Sequence, residues 1–279
     1  MDPVAAYGAG GPFLYPLPAA IAALPLAGLQ VAAAASAFVG ISAALLAYGL
    51  TASGWLRLTA MLSPPFLFSV QTANWPPLLV ASALLPALGW LAAAKPNLGV
   101  VSLAYRPSRI ALGGIVLLTV VSLLVNPGWP AEWLAHVRRQ PISHLPALFW
   151  PFGAVGLLGL LRWRTAEGRA LAALTVVPTA TLPYDWLLLW LCARTGLETV
   201  VFTVVGWLAW TALLATGPNN LVEPWTRGHL ILSLGWILPA AILVLRRRND
   251  GVVPKVVERA SVWLPHWLRG RPTVADVTD

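Results

Sequence analysis

The chain is poor in charged residues and almost free of cysteine. Only 10% of its 279 residues are charged, whereas soluble globular proteins carry about 25%. So few charges cannot cover a water-facing surface, and the composition therefore excludes an ordinary soluble protein. The single cysteine, Cys192, excludes an intramolecular disulfide and a metal site built from several thiolates.

The motifs of several enzyme classes are missing as well. The sequence contains no glycine-rich dinucleotide fingerprint after a strand, no P-loop and no GxSxG. Its histidines lack the HxxxH spacing of a metal site, so we expect neither a metal nor a cofactor. The net charge of +8 comes from basic residues scattered between apolar runs, without a basic stripe interleaved with aromatic residues. We therefore expect no nucleic-acid partner.

Hydrophobic residues and tryptophan are abundant instead, at 58% of the chain and 15 residues respectively. A membrane-spanning helix needs about 20 apolar residues, and tryptophan favours the boundary between headgroups and hydrocarbon. The pattern predicts an all-α fold, a polytopic transmembrane helical bundle with broken or re-entrant segments at the outer face. The clearest predicted spans are Val31–Leu50, Pro77–Ala94, Ile110–Val125, Leu145–Leu161, Thr199–Ala215 and His229–Leu245.

Prolines and short length set four further apolar stretches apart. Leu58–Val70 and Ala170–Pro183 contain prolines and predict broken or tilted helices. Leu187–Ala193 is either half of a span or a re-entrant segment. Four prolines in and beside Phe13–Leu29 forbid a straight helix, so we interpret this stretch as interfacial or re-entrant.

The distribution of basic residues predicts an orientation. If the basic run at 246–248 is cytoplasmic, alternating spans place most other cations on the same side, as the positive-inside rule requires. These are Arg57, Lys95, Arg106, Arg109, Arg162, Arg164, Arg169 and Arg194, whereas the opposite side holds Arg138, Arg139 and Arg227. We expect one transmembrane domain at 1–248. Residues 249–279 follow as a cytoplasmic tail, which is either an amphipathic segment on the anionic leaflet or, in its last part, an unstructured basic tail.

Polar groups at the outer ends are the candidates for chemistry. Asp185 is predicted either as a general base with a pKa raised by partial desolvation or as a helix N-cap. Gln71 and Asn74 are amides three residues apart, predicted to lie on one helical face, that either bind sugar hydroxyls or contact another helix. Arg138 and Arg139 suit a lipid-linked phosphate, although solvated arginines or arginines on lipid headgroups are the alternative. The full set of candidate site residues is Asp2, Tyr15, Gln71, Asn74, Arg138, Arg139, Tyr184, Asp185 and Arg227.

Four stretches resemble one enzyme family in the same order. They are PFLYPLPAAIAALPLAGL, SPPFLFSVQTANWPPLLVASALLPALGWLAAAKPN, LAYRPSRIALGG and TLPYDWLLLWL, and together they cover most of 12–191. The chain thereby resembles the GT-C type glycosyltransferases of family 87, polyprenol-phosphate-mannose-dependent mannosyltransferases of bacterial envelopes. The matching positions are Tyr15, Pro16, Gln71, Asn74, Lys95, Pro96, Tyr184 and Asp185. The chain departs from the family where YPL stands for YPP, where Val70 replaces a glycine, and where Asn74 lies one residue farther on.

The resemblance implies a multi-pass protein of the bacterial cytoplasmic membrane with its C-terminus in the cytoplasm. Its expected partners are a polyprenyl-phosphate-linked sugar, a lipid or glycan acceptor, and membrane lipids. The family places an acidic base in an outer loop after a first transmembrane helix. This sequence begins near that loop, so the first span of the family is expected to be missing, and Asp2 is the nearest candidate for that base.

Three functions remain open from the sequence. The first is transfer of mannose or a related sugar from a polyprenyl-phosphate donor to an envelope acceptor on the extracytoplasmic face. The second is transport of a lipid or small solute, which the broken helices favour. The third is a non-catalytic remnant or subunit of such a transferase.

Overall fold

The structure, a computed structural model, describes residues 15–138, 144–180, 183–217, 226–251, 253, 258–259, 261–263 and 265–269. The structure is 78% helical and 3% strand, in agreement with the predicted helical fold. The α-helices are α1 (Leu17–Ala22), α2 (Val31–Thr51), α3 (Pro64–Gln71), α4 (Pro76–Leu84), α5 (Pro96–Tyr105), α6 (Arg109–Val125), α7 (Trp129–Arg138), α8 (Ala166–Val176), α9 (Gly196–Ala215), α10 (Arg227–Leu232) and α11 (Leu238–Leu245), with a final turn of helix at His266–Arg269.

Three helices among the described residues are long and apolar enough to cross a membrane. They are α2, α9 and the helix Arg227–Leu245, in which a π-helical turn at Ser233–Ile237 joins α10 to α11. All three were predicted as spans, with bounds that differ by three residues or fewer. A fourth candidate is α6 together with α7, which bend by 94° at the break between them.

The predicted span Pro77–Ala94 is not continuous. It divides into α4 and a 3₁₀ helix at Pro86–Ala94, because Leu85 has an extended backbone and Pro86 has no N–H to continue the α-helical hydrogen bonds. The Nη1 of Arg106, just after α5, donates to the carbonyl of Leu84 at 3.2 Å. Thus the 3₁₀ helix runs antiparallel to α4 before it, and α5 runs antiparallel to the 3₁₀ helix. The prediction of one crossing was wrong.

Further 3₁₀ helices occupy Leu24–Leu26, Trp55–Leu62, Ala147–Phe149, Gly153–Arg162 and Pro183–Cys192. In the helix Gly153–Arg162 the three buried residues are glycines spaced by three, which share one face because a 3₁₀ helix has three residues per turn. A Cβ on Gly159 would lie 2.5 Å from the carbonyl oxygen of Gly168 in α8. The missing side chains therefore let this helix lie directly against α8.

A short ladder of two strands departs from a purely helical fold. β1 (His144–Pro146) pairs antiparallel with β2 (Pro178–Ala180), with Leu145 opposite Thr179. β2 follows directly after α8 and holds Ala180, whose backbone N–H donates to Asp185. It therefore helps to position the candidate site described below.

The 3₁₀ helix Pro183–Cys192 lies at the centre of the core, with nine of its ten residues buried. Trp186 and Trp190 are each only 1% exposed, and Trp190 Nε1 donates to Thr203 Oγ1 in α9 at 2.9 Å. Whether this segment is half of a span or a re-entrant segment stays a prediction. It enters the bundle at Asp185 and ends among arginines at Cys192.

Most predicted cytoplasmic cations do lie together, at what we call the arginine end. Arg57 donates to the carbonyl of Ala193 at 3.0 Å, and Arg194 forms an ion pair with Glu167 at 2.6 Å. Arg247 joins the same network through Glu198 at 2.9 Å. Lys95 is the exception, because it lies at the other end of the bundle, which we call the polar end.

Candidate functional site

The candidate site at the polar end is built around an ion pair. Lys95 Nζ lies 2.5 Å from Asp185 Oδ1, and the other oxygen, Oδ2, accepts from the backbone N–H of Ala180 at 2.8 Å. The Asp185 side chain is 0% exposed and that of Lys95 is 12% exposed. A buried carboxylate requires such partners, because burying an unpaired charge is costly.

Local backbone structure places both residues. Lys95 lies between the 3₁₀ helix Pro86–Ala94 and the first turn of α5, which begins at Pro96. Asp185 lies in the first turn of the 3₁₀ helix Pro183–Cys192. It faces Lys95 and Ala180 there, so the structure favours an ion-paired role over the predicted helix N-cap.

Tyr15 and Asn74 form the second part of the site. The hydroxyl of Tyr15 donates to Asn74 Oδ1 at 2.7 Å, and the backbone N–H of Trp75 donates to the same oxygen at 2.9 Å. Asn74 is 8% exposed. Two donors thus fix the orientation of its amide.

The predicted face shared by Gln71 and Asn74 is not present. Helix α3 ends at Gln71, and Ala73 then adopts a left-handed backbone with φ 46°. This turn carries Asn74 into the interior and leaves Gln71 exposed. The amides were predicted to lie on one helix, and that prediction was wrong because the helix ends between them.

Tyr184 joins the two parts through Lys95. The Nζ of Lys95 lies 4.8 Å from the centroid of the Tyr184 ring and 5.8 Å from that of Tyr15, within reach of a cation–π attraction. Phe68 stacks on the ring of Tyr184, with the two ring centroids 6.1 Å apart. The partly exposed ammonium of Lys95 is therefore bounded by two phenols and a carboxylate.

We define Tyr15, Asn74, Lys95, Tyr184 and Asp185 as the polar-end cluster. Its ammonium can bind an anionic oxygen, and its phenols and amide can exchange hydrogen bonds with hydroxyl groups. This is a suitable set of groups for a phosphorylated and hydroxylated ligand.

The remaining predicted site residues are not joined to this cluster. Arg138 is exposed at the last residue of α7, and Arg227 begins α10. No contact recorded for the part of the chain that the structure describes links either arginine to the cluster. Asp2 and Arg139 lie outside the described residues.

Lys95 is the member that the sequence interpretation misplaced. It was assigned to the cytoplasmic cations, because Pro77–Ala94 was taken as one crossing that ends at Lys95. Pro86 inside that run was the signal for a break. The Lys-Pro pair of the family resemblance also singled out position 95, but it did not indicate at which end of the molecule Lys95 lies.

No protein-family model, curated protein or solved structure matches this chain. Within the described ranges, no group of three or more His, Cys, Asp or Glu side chains is arranged to hold a metal ion. The thiol of Cys192 is fully buried at the arginine end, away from the cluster.

Proposed function

We propose that the protein is a polytopic membrane protein with the arginine end in the cytoplasm. Helix α9 has 20 residues, which at 1.5 Å per residue gives about 30 Å, the thickness of the hydrocarbon core. The concentration of arginines at one end supports this orientation through the positive-inside rule. The polar-end cluster then belongs to the extracytoplasmic half.

Contacts with α9 support a position of the polar-end cluster below the outer boundary of the membrane. Tyr184 contacts Phe68, and the Phe68 ring lies 6.3 Å from that of Trp210. Trp210 lies about 21 Å along α9 from Gly196, roughly two thirds of the helix. The ion pair is therefore proposed to lie below the outer boundary, where ionisable groups are usually functional.

We further propose that the protein transfers a sugar, mannose or a related hexose, from a polyprenyl-phosphate donor to an envelope glycan or lipid acceptor. The observation that carries this proposal is the convergence of Tyr15, Asn74, Lys95, Tyr184 and Asp185. These residues come from three separate stretches that resemble the transferase family. A lipid-linked donor reaches such a site from the bilayer, so no nucleotide fold is required.

In this proposal, Lys95 holds the phosphate of the donor. The acceptor hydroxyl attacks the anomeric carbon, the bond from that carbon to the phosphate oxygen breaks, and the polyprenyl phosphate leaves with the electron pair. Lys95 stabilises the negative charge that develops on the leaving phosphate. The tyrosines and Asn74 orient the sugar through hydrogen bonds.

Asp185 takes the proton of the acceptor hydroxyl in this scheme, but only after its ion pair with Lys95 has opened. Its side chain has no exposed surface in the present conformation, so it cannot reach a hydroxyl. When the donor phosphate draws Lys95 away, Asp185 Oδ1 is freed and becomes able to accept a proton. Donor binding and activation of the base are thus coupled through one ion pair.

The assay for this proposal uses the full chain in proteoliposomes with a radiolabelled polyprenyl-phosphate mannose donor and envelope extract as the acceptor source. We expect the donor to be consumed and the label to pass to the acceptor. Lys95→Met removes the activity and Lys95→Arg retains part of it. Arg109→Gln, a matched change of an exposed cation at the arginine end, leaves it intact. An inactive wild-type protein, or equal activity in Lys95→Met, contradicts the proposal.

A transporter is the second candidate, because a buried ion pair inside a helical bundle also suits a transported polar solute. The same vesicles distinguish the two functions. If label crosses the bilayer with the donor still chemically intact, transport is supported. If the sugar leaves the polyprenyl phosphate, transfer is supported.

A further inference from the structure

The C-terminal segment is fastened to the arginine end at one turn, between the 3₁₀ helix Gly153–Arg162 and α8. Arg164 forms a two-pronged ion pair with Glu258, with both N–O distances 2.8 Å. Its Nε also donates to the backbone carbonyl of Arg269. The Arg164 side chain is 2% exposed, so this arginine acts as an interior link.

Neighbouring groups strengthen the same attachment. Trp163 Nε1 donates to the carbonyl of Leu268 at 2.7 Å. Asn249 donates to the same carbonyl at 3.0 Å and accepts from the backbone N–H of Arg164. The described part of the segment after Arg248 is therefore held in a defined position.

We call the ion pair of Arg164 with Glu258 and the hydrogen bonds around it the clasp. Beyond the clasp, the chain forms a turn, Ser261–Trp263, whose last two side chains are apolar. Ser261 Oγ donates to the carbonyl of Glu258, and Arg269 Nη2 donates to the carbonyl of Val262 at 2.7 Å. These bonds fix the turn, yet Val262 is 62% exposed and Trp263 is 90% exposed. A fixed turn that exposes a tryptophan and a valine requires an apolar or interfacial surface to cover it.

The position of the clasp indicates which surface that is. Arg162, two residues before Arg164, donates to the carbonyls of Leu245 and Arg247 at the end of α11. If Arg227–Leu245 spans the membrane, its end marks the boundary with water, and the turn lies at that level. Exposed arginines accompany it at positions 246, 248 and 259.

We infer that the turn Ser261–Trp263 binds the surface of the surrounding bilayer, with Trp263 in the headgroup layer and the nearby arginines on anionic lipid headgroups. Tryptophan favours this layer, and basic residues near an anionic surface are attracted to it. The clasp by Arg164 holds the turn in position. The inference rests on the proposed membrane location, but not on the proposed sugar transfer.

The test uses the full chain with Cys192→Ala and one introduced cysteine that carries an environment-sensitive fluorophore. Vesicles contain a nitroxide-headgroup lipid as quencher in phosphatidylcholine, with or without phosphatidylglycerol. We expect Trp263→Cys to be quenched with phosphatidylglycerol present, and quenching to fall in its absence or at high salt. Asp250→Cys, an exposed position in the same segment but outside the turn, serves as the control and is quenched less than position 263, without dependence on phosphatidylglycerol.

Three further variants keep the outcomes distinct. Trp55→Cys, exposed at the arginine end, is expected to be quenched in all vesicles, and its failure contradicts the membrane location itself. Glu258→Ala is expected to reduce quenching at position 263 to the level at position 250, whereas Asp250→Ala does not. The inference is overturned if the label at 263 is quenched no more than the label at 250, or if its quenching does not depend on phosphatidylglycerol and salt. Quenching that persists in Glu258→Ala overturns the role of the clasp.

Discussion

Lys95 Nζ and Asp185 Oδ1 lie 2.5 Å apart although 90 residues separate them in the chain. The carboxylate is fully buried, and its second oxygen is occupied by a backbone N–H. The pair thus fixes the end of the 3₁₀ helix Pro86–Ala94 against the start of the helix Pro183–Cys192. Both the position of Lys95 in the fold and the proposed function depend on this contact.

The first prediction concerns the stability that the ion pair provides. Lys95→Met leaves Asp185 buried without its cation, and loss of one partner of a buried pair costs about 3–5 kcal/mol. The double variant Lys95→Met, Asp185→Leu removes both charges and is expected to recover most of that loss. Chemical denaturation in detergent micelles measures the difference. A single variant as stable as the wild type would count against the pair.

The second prediction separates a hairpin from a crossing at 76–94. Single cysteines at the exposed positions Gln71 and Pro96 are expected to react with an impermeant maleimide from the same side of oriented membranes. A cysteine at Arg106 is expected to react from the opposite side. One continuous crossing would instead place 71 and 96 on opposite sides, as the hydropathy pattern first suggested.

The third prediction concerns the close approach of two helices. Gly159→Leu forces a side chain against the backbone of Gly168, and overpacking of this kind costs about 1–3 kcal/mol. Gly113→Leu is the matched control, because a Cβ there meets nothing within 4 Å. Thermal unfolding of both variants tests this. A loss of equal size at the two sites would show that the contact with α8 is not the cause.

The fourth prediction concerns the pH dependence of the clasp. Hydrogen bonding to the Arg164 guanidinium lowers the pKa of Glu258 from its ordinary value of 4.5. Because the folded pKa is the lower one, the stabilisation is fully present above pH 4.5 and is lost as the pH falls through the folded value. Spin labels on the segment and on α11 should therefore keep their separation at pH 4.5 and move apart only below it. A distance between the two labels that already increases above pH 4.5 would contradict the assignment of Glu258 as the ion-pair partner that holds the segment.

The long helices could be predicted closely from hydropathy, because α2 and α9 are uninterrupted apolar runs of sufficient length. The same criterion misjudged Pro77–Ala94, since a hairpin of two short apolar segments has the same composition as one span. Only Pro86 distinguished the hairpin from a single span. Taking the run as one span placed Lys95 at the wrong end of the molecule. Hydropathy describes burial along the chain and carries no information about which segments meet.

The candidate site was predicted in part. Tyr15, Asn74, Tyr184 and Asp185 were all singled out, and the structure brings them together. The sequence could not predict the hydrogen bonds that Asn74 accepts, because these depend on the left-handed turn at Ala73. Gln71 was paired with Asn74 by spacing alone, and spacing does not show where a helix ends.

Binding of polyprenyl phosphate to the purified protein tests the central claim, that Lys95 holds a lipid-linked phosphate, most directly. Charge-assisted hydrogen bonds contribute about 1.5–3 kcal/mol, so Lys95→Met is expected to weaken binding by about tenfold or more, with a smaller loss in Lys95→Arg and none in Arg109→Gln. Asp185→Leu combined with Lys95→Met restores stability without restoring affinity, which separates binding from folding. Wild-type affinity in a folded Lys95→Met protein would contradict the account.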